Sequence, residues 1–408
     1  MTIANSGAKW RTLLLLSLAE LLAMVVWFSA SAVTNDLAEL WSLGDSGKAW
    51  LTMSVQIGFV VGALGSAILT LADRIPARQF FISATFIAAA STALIPLIAA
   101  DSPTLAMILR FLTGVSLAGV YPVGMKIMAT WTTKDRGLGI GLIVGALTVG
   151  SAAPHLLNAL GGIGQWQRVL YLAAGLAAIG GLIGLFFVHE GPNTTKAAKF
   201  SAGDVRYVLT DKKVMLANLG YLGHMWELYA MWAWLFAFLT ASFALQNVSV
   251  QWAGFVTFAA IAIGGVGSVL AGKVADNIGR STVTSASMLV SGVCALIIGF
   301  FYGANPILVS VIALIWGAFI VADSAQFSAS VSELADKRYL GTALTLQTSM
   351  GFLLTLFTIR MIPTLVNRFT WNWAFAFLAI GPVVGIWSMQ TLKGLQEKSQ
   401  PLAPAAAD

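Results

Sequence analysis

Two ionisable side chains lie close together in a stretch of the chain that is otherwise apolar. His224 and Glu227 are three residues apart, which on a helix places them on one face with Tyr221 and Met231. A histidine beside a carboxylate titrates near physiological pH, so the pair suits a proton relay or recognition of a polar substrate. Metal binding and a purely structural pair are the alternatives, but two ligands do not define a metal site, and we predict none.

A single carboxylate also interrupts the first apolar stretch of the chain. Glu20 shares a helix face with Met24 and Trp27. It is either a proton acceptor or cation contact in a cavity, or a buried carboxylate that a partner holds to fix helix packing. The indole rings of Trp27 and Trp232 are further candidates, for stacking on a substrate.

The composition decides which elements hold these side chains. Of the 408 residues, 58% are hydrophobic and only 10% are charged, whereas a soluble domain carries about 25% charged residues. This excludes a cytosolic enzyme, a nucleic-acid-binding protein and a disordered chain. No Walker loop and no complete G-x-G-x-x-G occurs, so we expect neither a cofactor nor energy from a bound nucleotide.

The apolar stretches have the length of membrane-spanning helices, because a bilayer core needs about 20 apolar residues per helix. They predict an all-α integral membrane protein with twelve spans, at about 12–33, 49–70, 79–99, 104–128, 138–158, 168–189, 214–243, 251–272, 281–302, 306–328, 341–362 and 371–392. The longest break divides the chain into an N-terminal bundle over 1–189, a central loop over 190–213, a C-terminal bundle over 214–392 and a tail over 393–408.

The positive charges predict the orientation of these spans. Most of the 23 lysines and arginines fall in links on the side of the N-terminus. Cytoplasmic loops carry an excess of these residues, so we expect both termini and the central loop to be cytoplasmic. The net charge of +6 is then a signal of topology rather than of a nucleic-acid partner.

Two links between spans repeat at half a chain length. The link after span 2 runs from Leu71 to Arg78 and the link after span 8 from Gly272 to Arg280. The second copy is similar to G-x-L-A-D-R-x-G-R-K, the loop motif of the major facilitator superfamily. The first copy departs from that motif, with Leu69, Pro76 and Ala77 in place of Gly, Gly and Arg.

A second motif of that family, R-x-x-x-G in span 4, matches Arg110 and Gly114. The chain therefore resembles the major facilitator superfamily over essentially its whole length. The resemblance implies two pseudo-symmetric six-helix bundles that face each other across a central cavity. It also implies that spans 1, 4, 7 and 10 line this cavity, and that the two halves rock to expose it to either side in turn.

The resemblance assigns roles to further residues. Arg110 serves proton coupling or substrate contact, or else forms an ion pair that locks span 4 to span 1. Tyr121 lies on the same face as Arg110 and is placed to line the cavity. Asp323 and Gln326 are expected to contact substrate, or Asp323 to close an inner gate. The loop charges form a conformational latch that consists of Asp73, Arg74, Arg78, Asp276 and Arg280.

The sequence thus predicts a secondary active transporter and not an enzyme. We expect coupling to protons and a small polar organic solute, a metabolite or organic anion, carried by a monomer in a bacterial cytoplasmic membrane. The alternative is a proton/drug efflux antiporter for cationic or amphipathic compounds, and a non-transporting sensor is a remote alternative. The direction stays open, because the antiporter motif of span 5 is incomplete around Gly150 and Pro154.

Overall fold

A computed structural model describes residues 3–132, 136–161, 164–193 and 201–398 of the chain. The described part is helical, without a strand, because helices satisfy every backbone N–H and C=O where no water is present. Ten of its helices are long and apolar enough to cross a membrane: Asp45–Ile68, Ala77–Ile98, Pro103–Trp131, Leu138–Ala159, Trp166–Phe187, Lys212–Ala244, Val250–Ile278, Arg280–Phe301, Pro306–Leu334 and Leu340–Lys398.

The last of these stretches contains two crossings. It is 59 residues long, and the backbone is non-helical at Thr370, where φ is 60° and ψ is 177°. Helix Leu340–Ala374 is therefore span 11, and Ile380–Lys398 is span 12. Span 1 consists of three pieces, which are Ile3–Met24, Ser29–Ala32 and Thr34–Leu40. The predicted all-α membrane fold is confirmed, and the helices follow the predicted order of spans.

Three of the spans are broken near their middle. In span 1 the helix ends at Met24, and a turn follows. Span 4 divides into Pro103–Leu117 and Tyr121–Trp131, and span 10 into Pro306–Ala322 and Ser324–Leu334. Span 7, Lys212–Ala244, runs unbroken for 33 residues. Breaks of this kind free backbone groups at membrane depth, where transporters place their binding sites.

The two halves meet along two pairs of spans. Span 5, Arg136–Ala159, packs on span 8, and span 2 packs on span 11. At the first contact a β-carbon added to Gly265 would lie 3.2 Å from the Cα atom of Gly145, so both glycines allow the helices to approach closely. At the second contact the rings of Phe59 and Phe352 are 4.5 Å apart.

We call the side of the molecule at which span 1 begins the terminal side, and the side at which span 1 ends the far side. Between spans 6 and 7 the described chain forms two short helices, Ala202–Asp204 and Val205–Thr210. Span 7 then begins at Lys212, and the carboxylate of the preceding Asp211 caps it by accepting hydrogen bonds from the backbone N–H groups of Lys213 and Val214, at 2.9 and 3.0 Å.

Candidate functional site

The broken backbone of span 1 is held by the arginine of span 4. Arg110 is fully buried, and its guanidinium donates to the carbonyl oxygen of Val26 at 2.7 Å and to that of Trp27. It also donates to the hydroxyl of Ser29 at 3.3 Å and approaches the carbonyl of Leu51 at 3.5 Å. The carbonyls of Val26 and Trp27 lie in the turn that follows the end of the first helix at Met24.

Arg110 thus links span 4 to spans 1 and 2, but not through an ion pair. Among the residues that the structure describes, no carboxylate forms a salt bridge with it. The packing of spans 2 and 4 supports this contact, because Gly58 and Gly114 bring the two backbones together. A β-carbon at either glycine would overlap the backbone of the other span.

Glu20 is a buried carboxylate in the first half of the protein. Its side chain has no exposed surface, and neither carboxylate oxygen has a hydrogen-bond partner within the described residues. It lies against the second part of span 4, where a β-carbon added to Gly124 would be 2.5 Å from Glu20 Oε2. Glycine at position 124 therefore leaves the space that the carboxylate occupies. Tyr121 begins this same helix.

In the second half, His224 pairs with Asp323. The distance from Nδ1 of His224 to Oδ1 of Asp323 is 2.8 Å, and both side chains are at most 2% exposed. Asp323 is the residue at which span 10 is broken. The rings of Tyr221 and Phe327 lie 6.1 and 5.6 Å from the imidazole. The pair therefore joins span 7 to the break in span 10 at a fully enclosed position.

Glu227 lies on the same helix as His224 but has different partners. Its two carboxylate oxygens accept hydrogen bonds from the indole N–H of Trp316 at 2.6 Å and from the hydroxyl of Ser291 at 2.9 Å. These residues belong to spans 10 and 9, so Glu227 holds the interior of the second half together. The spacing of three residues does not make His224 and Glu227 a pair.

Six aromatic side chains fill the centre between the two halves. We call them the aromatic cluster. Trp27 lies 5.0 Å from Phe59, 6.0 Å from Tyr229 and 5.8 Å from Phe352, measured between ring centroids. Phe28 and Trp232 complete the cluster, and their rings are 5.8 Å apart. Spans 1 and 2 of the first half thereby contact spans 7 and 11 of the second half.

The sequence pointed to only two members of this cluster, Trp27 and Trp232. The other four, Phe28, Phe59, Tyr229 and Phe352, are buried aromatic residues of a kind found throughout the chain. Nothing in their spacing distinguishes them from packing residues. Met231, which we expected beside His224, is fully buried in the same core.

Gln326, another predicted site residue, lies outside the centre. Gln326 accepts a hydrogen bond at 2.7 Å from the guanidinium of Arg280, so it belongs with the loop charges at the terminal side. Arg280 also binds Glu333, with nitrogen–oxygen distances of 2.7 and 2.9 Å, and lies 4.0 Å from Asp276. Glu333, which sequence analysis missed, is therefore the main partner of Arg280. Tyr221 packs against Gly351 in span 11.

The corresponding loop of the first half makes different contacts. Arg78 donates to the backbone carbonyls of Gly184, at 3.4 Å, and Leu185. Its backbone N–H donates to the carboxylate of Glu190 at 3.2 Å. Arg74 is exposed, and the side chain of Asp73 lies outside the described residues. The two repeated loops thus differ in structure as they differ in sequence.

No group of three side chains that can hold a metal ion occurs in the described ranges. From the buried ionisable groups we select Glu20 in the first half and the pair of His224 and Asp323 in the second. Together with the aromatic cluster, they form the candidate site. Buried carboxylate and imidazole groups are chemically able to exchange protons, and aromatic rings are able to pack on a solute.

The sequence and the fold both have known counterparts. The family model described as Major Facilitator Superfamily matches residues 16–249, more than half of the chain. Over 185 residues the chain is 29% identical to transporter YgaY of Escherichia coli (strain K12) and of Escherichia coli O157:H7, both named uncharacterized. These matches cover 44% of this chain and 45% of each relative, so the chain spans about half the length of the curated relatives it matches.

The solved structures that share the fold include two transporters. Nucleoside transporter NupG superimposes with a TM-score of 0.73 at 16% identity, over 93% of this chain and 99% of that one. The proton:xylose symporter XylE, bound to 6-bromo-6-deoxy-D-glucose, superimposes with a TM-score of 0.74 at 16% identity. The superposition covers 96% of this chain and 99% of that one. At this identity the likeness shows the fold alone. The family match and the twelve spans establish that this chain belongs to the Major Facilitator Superfamily, a family of membrane transporters rather than of enzymes.

Proposed function

We propose that this transporter couples the movement of a small polar organic solute to the movement of protons. The observation that carries the proposal is the burial of Glu20 without a hydrogen-bond partner among the described residues. An ionised carboxylate in the membrane interior costs several kcal/mol, about 2.5–3.5 on the insertion scale. A proton or a bound cation removes most of this cost, so Glu20 is suited to take up and release a proton.

The second half contributes the other proton-exchanging group, the pair of His224 and Asp323. Glu20 and this pair lie in opposite halves, and the aromatic cluster lies between the halves. In the proposed cycle the halves rock about their contacts at spans 5 and 8 and spans 2 and 11. The aromatic rings then separate, and the solute reaches the centre from one side at a time.

Arg110 supports this cycle in a way that differs from an ion pair. Its hydrogen bonds to Val26 and Trp27 fix the break in span 1, which follows Glu20 by one to two helical turns. We propose that Arg110 positions Trp27 and the end of the first helix. Tyr121, at the break in span 4, lines the same region in this proposal.

The remaining expectations complete the proposal. In this proposal the chain divides into one bundle over 1–189 and another over 214–392. The central loop and both termini lie in the cytoplasm of a bacterium. The loop residues Asp73, Arg74, Arg78, Asp276 and Arg280 act as the latch, and a monomer is sufficient. NupG and XylE are named for a nucleoside and a sugar, which supports a small polar organic solute for this chain as well.

Proteoliposomes that contain a pH-sensitive dye test the coupling. Pools of metabolites and, separately, of cationic amphipathic drugs are added outside, and the internal pH is followed. Entry of protons with the solute acidifies the lumen, whereas exchange of protons for a drug makes it alkaline. We expect acidification with at least one metabolite pool, and loss of the signal in Glu20→Gln.

Glu39→Gln is the matched control, because Glu39 is an exposed carboxylate at the far side. It should retain the full signal. Solute uptake without any pH change would overturn the proton coupling while leaving transport intact. A signal only with the drug pools, of alkaline sign, would favour the efflux antiporter.

A further inference from the structure

A cavity of about 220 Å³ opens between the two halves at the far side. Its walls come from the end of span 1, the start of span 2, the far part of span 7 and the end of span 11. It begins about one helical turn beyond the aromatic cluster, since Ser31 follows Trp27 by four residues and Phe236 follows Trp232 by four. None of the residues assigned above to the candidate site lines it.

The wall that belongs to the first half is polar. It presents the hydroxyl groups of Ser31 and Thr52, which are 2.6 Å apart and hydrogen-bonded to each other. Beside them are the carboxylate of Asp45 and the ammonium group of Lys48. Hydroxyl groups both donate and accept, so this wall offers hydrogen bonds to either end of a charged solute.

The wall that belongs to the second half is mostly apolar. It presents the rings of Trp234, Phe236 and Trp371 together with Pro363. The indole N–H of Trp234 is already used, because it donates to the carbonyl of Ile359 at 2.9 Å. This wall therefore offers ring surface, which suits an apolar group of the solute.

The charges in the polar wall have opposite signs and form no salt bridge with each other. Asp45 and Lys48 are three residues apart on span 2, yet no salt bridge joins them, nor does either form one with another described residue. Asp45 instead accepts a hydrogen bond at 2.6 Å from the amide of Asn367, in the other half. A solute with only one charge would bind one of these groups and meet repulsion from the other.

We propose that this cavity binds a zwitterionic solute with an apolar side group, the chemistry of an α-amino acid with an aromatic side chain. Lys48 binds the carboxylate of the solute, Asp45 binds its ammonium group, and the rings of Trp234 and Phe236 pack on the side group. The proposal rests on the transport function proposed above, for which it names the class of solute. Binding is nevertheless a separate property, so the two fail in different experiments.

Three matched probes distinguish the charges that the cavity recognises. Phenylalanine carries both charges, 3-phenylpropanoate lacks the ammonium group, and 2-phenylethylamine lacks the carboxylate. Glycine retains both charges and lacks the ring. Binding to the purified full-length protein in detergent is measured by calorimetry and by the rise in Tm. We expect phenylalanine to bind about tenfold more tightly than each of the other three, since each of them loses one contact.

Two variants should give opposite patterns. Lys48→Gln should weaken the binding of phenylalanine and 3-phenylpropanoate and strengthen that of 2-phenylethylamine, because it removes a repulsion. Asp45→Asn should weaken the binding of phenylalanine and 2-phenylethylamine and strengthen that of 3-phenylpropanoate for the same reason. Lys212→Gln, an exposed lysine at the terminal side, is the control and should change none of them. Lys48→Arg keeps the charge, and it should retain binding even if Lys48→Gln unfolds.

The proposal is overturned if no probe binds, if all four probes bind equally, or if the two variants change the binding of the two singly charged probes in the same direction. Xylose is included as a neutral solute that stacks on rings. Tighter binding of xylose than of phenylalanine would also reject the zwitterion. Binding with the expected pattern but without any pH change in the proteoliposome assay would retain this site and reject the proton coupling.

Discussion

The guanidinium of Arg110 donates a hydrogen bond of 2.7 Å to the carbonyl oxygen of Val26, at the break in span 1. The contact joins two spans that line the centre of the first half. It explains how a span can stop being helical inside a membrane, where a free carbonyl has no water to bind. The break then orients Trp27, and through it the aromatic cluster that closes the centre.

Replacement of Arg110 by leucine should therefore lower the stability of the first half. The carbonyl of Trp27 loses its donor and that of Val26 keeps only the hydroxyl of Ser29, and a buried group left unsatisfied costs roughly 1–3 kcal/mol. Arg110→Lys keeps the charge but lacks the planar set of donors, so we expect it to restore only part of the stability. Thermal unfolding in detergent measures the difference. Arg368→Leu, at an exposed position, is the control, and a Tm of Arg110→Leu equal to that of the control would contradict the expectation.

The contact between Glu20 and Gly124 leads to a second prediction. Gly124→Ala places a β-carbon against the carboxylate and should lower both stability and transport. Glu20→Ala removes the obstacle, so the double variant should recover part of the stability that Gly124→Ala loses. A coupling free energy of about 0.5–3 kcal/mol is expected from the double-mutant cycle.

Gly175→Ala provides the matched control for that cycle, because no atom lies within 4 Å of a β-carbon added there. It should leave the Tm unchanged or raise it slightly. If Gly124→Ala behaves in the same way, Glu20 does not lie against span 4. If its effect persists in full without Glu20, the space is limited by another neighbour.

A third prediction concerns pH and the link between spans 10 and 11. The side chain of Arg338 donates to the carboxylate of Asp336 at 2.7 Å and lowers its pKa from 3.8 to about 2. Because the pKa is lower in the folded protein, any stabilisation from this pair is complete above about pH 4. It is lost as the pH falls through the range from about 4 to 2. Asp336→Asn should thus leave the pH profile of transport unchanged between about pH 5 and 8. A shifted profile would contradict this expectation and assign Asp336 a role in coupling.

The lengths of the apolar stretches were sufficient to predict the fold, because a helix needs a minimum length to cross the membrane. They did not predict the break in span 1. The residues at this break, Val25 to Phe28, include neither glycine nor proline. Its cause lies outside the segment, in Arg110. In span 4, by contrast, Gly119 lies within the break and Pro122 follows it, and both are visible signals in the sequence.

The partners of the buried charged groups also could not be predicted from the sequence. His224 and Glu227 share a helix, and this suggested a pair. A helix places residues that are three apart on one face, but each long side chain can contact any of several neighbouring spans. Glu227 binds Trp316 and Ser291, while His224 binds Asp323. Which groups were buried could be read from the sequence, but their partners depend on how spans 7, 9 and 10 pack.

The pair of His224 and Asp323 leads to the last prediction. Removal of one partner leaves the other polar group buried and alone, which typically costs about 3–5 kcal/mol for an ionised pair. His224→Leu and Asp323→Leu should each lower the Tm strongly, whereas the double variant should be more stable than the sum of the two losses indicates. If the pair also exchanges protons, the double variant should fold and bind solute but fail to change the internal pH of proteoliposomes. Glu227→Gln keeps both of its hydrogen-bonded neighbours and should retain proton movement. Loss of proton movement in Glu227→Gln alone, with the double variant active, would place the proton-exchanging group of the second half at Glu227 instead.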